Sequence, residues 1–249
     1  MERWNSAYRL SVIASRALKS GHAESFRVWV HAFGINDQDA QIKSLGVVVA
    51  ERLIWANEEL DRLEAHLRSE PEYQELYDRP IRLFRQVASP LLLGQSSQHI
   101  TTFLTEDVVR DFKHMNRAME VTEVRLTEED LSAFEQQLET IRATLVANID
   151  ERLRAIIERH LKLMQRAIDA YPVFGARAFD DALKDSFLGL GLANREFSES
   201  EKEADRTAVK SAMDSWKGIR EKIETVRAAA GLALAFGKLV DVVFRIGHD

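Results

Sequence analysis

The stretch from Thr127 to about Ala170 contains neither glycine nor proline, and it constrains the fold more than any other part of the chain. Its apolar residues Leu131, Phe134, Leu138, Ile141 and Leu145 recur at alternating spacings of three and four, which is the seam of a helix packed along another helix. Read as one uninterrupted helix, it makes a rod of about 60 Å at about 1.5 Å per residue. Such a rod is longer than a compact domain is wide, so neighbouring helices must run beside it or leave its end for a partner. Charge changes sign along it: residues 127–151 hold seven acids and one base, residues 152–172 five bases and two acids. Acid at the N-terminal end and base at the C-terminal end suit the helix dipole. The same polarity would hold an antiparallel neighbour in register, most simply an acidic helix expected over residues 37–69. Beyond Leu145 the stripe widens through Ile149, Leu153, Ile156, Ile157, Leu161, Met164 and Ile168, so a narrow coiled-coil edge becomes a globular-core face.

The remaining composition agrees with helices. Of 249 residues, 45% are hydrophobic and 30% charged, with 11 glycines and 4 prolines; that balance can bury a core and leaves little material for hairpin turns. The expected fold class is all-α, an elongated helical bundle of about nine helices with long antiparallel, coiled-coil-like members. The absence of cysteine excludes disulfides, thiolate catalysis and cysteine-ligated zinc. A net charge of -6 makes nucleic acid an unfavoured partner, while leaving room for a local basic patch. Residues 1–10 lack the continuous apolar core of a secretion signal, so a cytoplasmic location is expected.

Taken in order, residues 4–20 have a helical pattern stopped by Gly21, and Phe26, Trp29, Val30 and Phe33 share one face of a second helix ended by Gly34. Asp37 is placed to cap a third helix reaching Ser69. Pro71 suits the first turn of the next, and Asp78-Arg79-Pro80 reads as the restart of another. The polar run Gln95-Ser96-Ser97-Gln98 is the natural joint. It divides an N-terminal helical region, 1–93, from a C-terminal one, 98–249, unless the two form one continuous domain. A helix over residues 100–124 precedes the rod, which Thr127 and Asp130 open with a capping box. Pro172 and Gly175 end the rod, Gly189 and Gly191 end a short helix, and Ser198 with Glu201 caps the next.

No catalytic constellation stands out. The most apolar segment, 226–246, is too short and too interrupted by Arg227, Lys238, Asp241 and Arg245 for a simple membrane span. Its Leu232, Leu234, Phe236, Leu239, Val240, Val243 and Phe244 are the candidate interface or membrane-inserting residues, with burial in the core the leading account. Arg79, Arg82, Arg85, Arg110, Lys113 and Arg117 form a candidate basic patch for phosphates, although no aromatic residues are interleaved for base stacking. Metal ligation and cofactor binding lack the paired Glu-x-x-His repeats or glycine fingerprint they need. Arg154 and His160 stand in the pattern Arg-x5-His, which is similar to the signature of the helical HEPN ribonucleases. That resemblance implies His160 as acid or base and Arg154 as a phosphate contact; a second match, Arg16 to His22, occurs in the same chain. The leading expectation is a non-enzymatic protein-protein interaction module, an adaptor, regulator or assembly component that binds a protein partner or itself. A membrane-active helical effector comes second and a HEPN-like ribonuclease third.

Overall fold

The computed structural model describes residues 4–35, 42–68, 71–119, 125–145 and 148–228, and over these the chain is all-α. Ten helices are α1 Ser6–Lys19, α2 Ser25–Phe33, α3 Ile42–Arg68, α4 Pro71–Val87, α5 Gln98–Phe103, α6 Glu106–Ala118, α7 Glu128–Thr144, α8 Glu151–Phe174, α9 Phe179–Phe197 and α10 Glu203–Ala228. Short 3-10 turns lie at Pro90–Leu92 and Gly175–Ala178. The chain divides into two compact units, Met1–Val121 with Ala170–Gly175, and Thr122–Asp169 with Ala176–Asp249.

In the first unit α1 packs on α6, α2 and α3, and α3 on α4. The core is aromatic. Trp29 lies 5.7 Å from Phe33 and 6.0 Å from Phe84 between ring centroids, and Phe84 meets Phe112 edge-on at 5.8 Å. Such pairs add about 0.5–1.5 kcal/mol each beyond the area they bury. Asn5 caps α1 by accepting from the Tyr8 N–H, and Gly34 ends α2 in the left-handed region at φ 66°, the conformation glycine adopts without a Cβ penalty. A charged pair is sealed into this core: Arg9 donates to Glu59 at 2.7 Å, with only 4% and 0% of the two side chains exposed. The Arg9 Nε also donates to the Val173 carbonyl at 2.8 Å, satisfying one of the orphan carbonyls at the end of α8. The polar run at 95–98 lies inside this unit, where Ser25 N–H donates to the Gln95 carbonyl at 3.0 Å.

In the second unit α10 packs on α9 and α7, and Phe134 meets Phe179 edge-on at 5.7 Å. The capping box at Thr127 is present in full, both reciprocal hydrogen bonds included. Lys222 reaches Asp130 at 2.8 Å. Burial works to raise the Asp130 carboxyl, but the hydrogen bonds from Lys222 and Thr127 prevail and hold it below its ordinary range. Arg227 pairs with Asp180 and donates to the Ala176 carbonyl; burial nonetheless keeps the Asp180 carboxyl above its usual value.

The long rod is broken. Helix α7 ends at Thr144, Leu145 leaves the helical region at ψ 60°, and α8 begins afresh at Glu151. Asp150 restarts the chain as an N-cap, its Oδ1 accepting from the N–H groups of Arg152 at 2.8 Å and Leu153 at 3.2 Å. Its own N–H donates to the buried Asp205 at 2.8 Å. The expected helix over 100–124 is also divided, because Leu104 is extended and α6 restarts at Glu106 after the Thr105 cap. Pro80 and Pro172, by contrast, interrupt nothing: each lies inside a continuous helix, α4 and α8. An interior proline costs about 3 kcal/mol, and burial of Ile81, Phe84 and Val87 on α4, and of Tyr171 and Val173 on α8, offsets it. Gly189 and Gly191 are interior to α9 rather than its end, and Ser198 closes α9 instead of capping α10.

Candidate functional site

Within the second unit, α8 and α9 line a groove of about 350 Å³. Spacing explains its composition. Arg152, Ile156 and His160 follow one another at intervals of four on α8, and Asp185, Leu188 or Gly189, Leu192 and Glu196 at three or four on α9, so each set shares one helix face. The rims differ in charge: Arg152 and Arg159 stand on the α8 side, Asp185 and Glu196 on the α9 side. One pair closes across the groove, Arg152 to Glu196 at 2.6 Å.

His160 lies at the base, 4% exposed. Its ring is seated against Gly189, where an added Cβ would stand 2.7 Å from the His160 Cε1. The glycine is there because no side chain fits between ring and helix. His160 is buried, as its place in the apolar stripe suggests, but it is not satisfied: Nδ1 has no hydrogen-bond partner among the described residues. Burial and the neighbouring Arg159 push its pKa down, against the pull of Asp185.

Above the groove, Leu188 is 52% and Leu192 66% exposed, one helical turn apart on α9. No motif announces them. Their signal in the sequence is the four-residue spacing itself, which is masked when the flanking glycines are read as a helix end.

The other sequence candidates are scattered. Arg154 directs its Nη1 to the Leu145 carbonyl at 3.1 Å, whereas His160 faces Gly189. Of the basic patch, Arg85 pairs with Asp61 at 2.7 Å and Glu64 at 3.1 Å, and Arg110 with Asp107 at 2.7 Å. Arg79 and Arg82 stand exposed on α4. Lys113 and Arg117 share a different cleft with Arg16. The apolar set from Leu232 to Phe244 lies outside the described residues.

Comparison of the chain with protein-family models, with curated proteins and with solved structures gives no match. Its chemistry is read from its own residues. Among the described residues, no group of three histidine or acidic side chains is arranged to hold a metal ion, and no helix is long and apolar enough to cross a membrane.

Proposed function

We propose that this chain is a non-enzymatic helical module for protein-protein interaction, that the leucine edge of α9 is its docking surface, and that the occupant is a second copy of the chain. The observation that carries the reading is the exposed pair Leu188 and Leu192 beside a groove whose two rims are oppositely charged. Single exposed leucines are ordinary. Two on adjacent turns, bordering a concave surface and flanked by charges, have the anatomy of an apolar contact with a polar rim. Charge selects the occupant, because the face is self-complementary. A two-fold axis along the groove lays the arginine rim of one copy over the carboxylate rim of the other.

Magnitude sets the expected strength. Complete burial of a leucine is worth about 1.5–3 kcal/mol; four leucines, each already part-buried, give roughly 4–8 kcal/mol. Association itself costs about 4–15 kcal/mol, so at most about 4 kcal/mol remains and the dimer is weak, with a dissociation constant of about a millimolar or weaker. Sedimentation equilibrium over a wide concentration range tests this. The mass should rise from one chain towards two, and Leu188→Glu with Leu192→Glu should hold it at one with unchanged helical circular dichroism. A native chain that stays at the one-chain mass at the highest concentration, or a double variant that associates as before, would overturn the reading.

A further inference from the structure

In the first unit, α1 and α6 enclose a cleft of about 390 Å³ lined by Tyr8, Ser15, Arg16, Lys113, Asn116 and Arg117 among others. Three of these are cations, and none of the described residues lining it is acidic. In a chain of net charge -6, this is a local reversal of sign. Lys113 and Arg117 are four apart on α6, a like-charge spacing that destabilises a helix, and the packing of α1 against α6 brings Arg16 to the same wall. The helix dipole accounts for part of this: Arg16 is in the last turn of α1 and Arg117 in the last turn of α6. It does not account for Lys113, which lies outside that turn, or for the absence of a carboxylate among the described lining residues. Neither Arg16 nor Lys113 makes an ion pair among the described residues, whereas Arg85 and Arg110 each have a carboxylate beside them.

The cleft holds a second, uncharged signal. Asn116 lines it, and the buried Asn116 Oδ1 has no hydrogen-bond partner among the described residues, while the backbone carbonyl of the same residue is taken by the Asn5 side chain at 3.3 Å. A buried acceptor without a donor costs about 1–3 kcal/mol, and a ligand hydroxyl would supply that donor. The volume lies within the range of small-molecule sites.

We infer that the α1–α6 cleft binds a small phosphate-bearing anion that also carries a hydroxyl group, with Arg16 and Lys113 holding the phosphate and Asn116 accepting from the hydroxyl. Ser15 is placed as a further neutral partner. The shared chemistry is that of a phosphomonoester, whether free in solution or at the head of a lipid.

Isothermal titration calorimetry of the full chain at low ionic strength, with inorganic phosphate and with glycerol phosphate as probes, tests this. It is paired with co-sedimentation on phosphatidylcholine vesicles with and without lysophosphatidic acid, whose glycerol keeps a free hydroxyl. Saturable binding at one site is expected, weakened about tenfold or more by Arg16→Ala with Lys113→Ala, since each charge-assisted hydrogen bond is worth about a factor of ten. Arg79→Ala with Arg82→Ala, which removes equal charge from α4, should leave it unchanged. Glycerol phosphate should bind more tightly than inorganic phosphate, and Asn116→Leu should remove that preference while leaving phosphate binding in place. Binding of the soluble probes alone identifies a free metabolite, and binding confined to lysophosphatidic acid vesicles a lipid head; both carry the proposal. Absence of binding in every arm, or equal losses in the α4 control, would overturn it. All the substituted cations are exposed, and an unchanged thermal transition verifies that each variant is folded.

Discussion

The contact between His160 and Gly189 is a single-residue fit with consequences in both directions. Replacing an interior helical glycine with alanine ordinarily stabilises by about 0.5–1 kcal/mol. Gly191→Ala should behave so, because nothing among the described residues lies within 4 Å of the added Cβ. Gly189→Ala, two residues away, should destabilise by about 1–3 kcal/mol, since the His160 ring blocks the methyl and the core must shift. Urea denaturation of the two variants compares them directly, and equal effects would mean the ring is free to move aside. The same histidine makes stability depend on pH. Its folded-state pKa is lowered by burial and by Arg159, so over a window below the unfolded value of about 6.5 the unfolded chain binds a proton that the folded chain does not. Its stabilising contribution is complete above that value and is lost as pH falls below it, by at most about 1.4 kcal/mol per pH unit. His160→Gln cannot titrate, so between about pH 7.5 and pH 5.5 the native chain should lose more stability than the variant. Parallel curves would assign the pH dependence to other groups.

Elements whose signals are local were legible in the sequence, and those settled by distant contacts were not. Gly34 ends α2 and Thr127 with Asp130 opens α7 as their chemistry requires, because a left-handed glycine and a capping box are complete within four residues. The all-α class followed from composition and periodicity for the same reason. The rod failed at Asp150, where the N–H is claimed by Asp205, 55 positions away; an aspartate inside an apolar stripe reads as a solvated helix residue until that partner is known. Pro80 and Pro172 misled oppositely. Their local preference is to break a helix, and the packing of α4 and α8 overrides it. The basic patch shows the same limit: spacing grouped Arg110 with Lys113 and Arg117, but Arg110 turns to Asp107, and the third cation, Arg16, comes from a helix almost a hundred residues earlier. No feature of α1 by itself indicates that meeting. Leu188 and Leu192 were available by spacing alone and were obscured by a wrong account of two glycines.

For the whole molecule, net charge and surface charge pattern pull in different directions, and self-association depends on the pattern. Two chains of charge -6 repel, but at physiological salt the Debye length is about 8 Å, so repulsion between their centres is screened while contacts at a shared face are not. The proposed two-fold arrangement brings Arg159 of one copy towards Asp185 of the other, and symmetry repeats the contact. An exposed ion pair is worth about 0.2–1 kcal/mol. Reversing one partner turns attraction into repulsion and acts twice, so Arg159→Glu should weaken the dimer by about 1–3 kcal/mol, roughly tenfold in dissociation constant. Adding Asp185→Arg to that variant exchanges the two rims and restores opposite charges across the axis in both places. Recovery of the native dissociation constant by sedimentation equilibrium is the expected outcome. Failure to recover, with the fold intact, would rule out this pairing and shift the docking role from charge to the leucines alone.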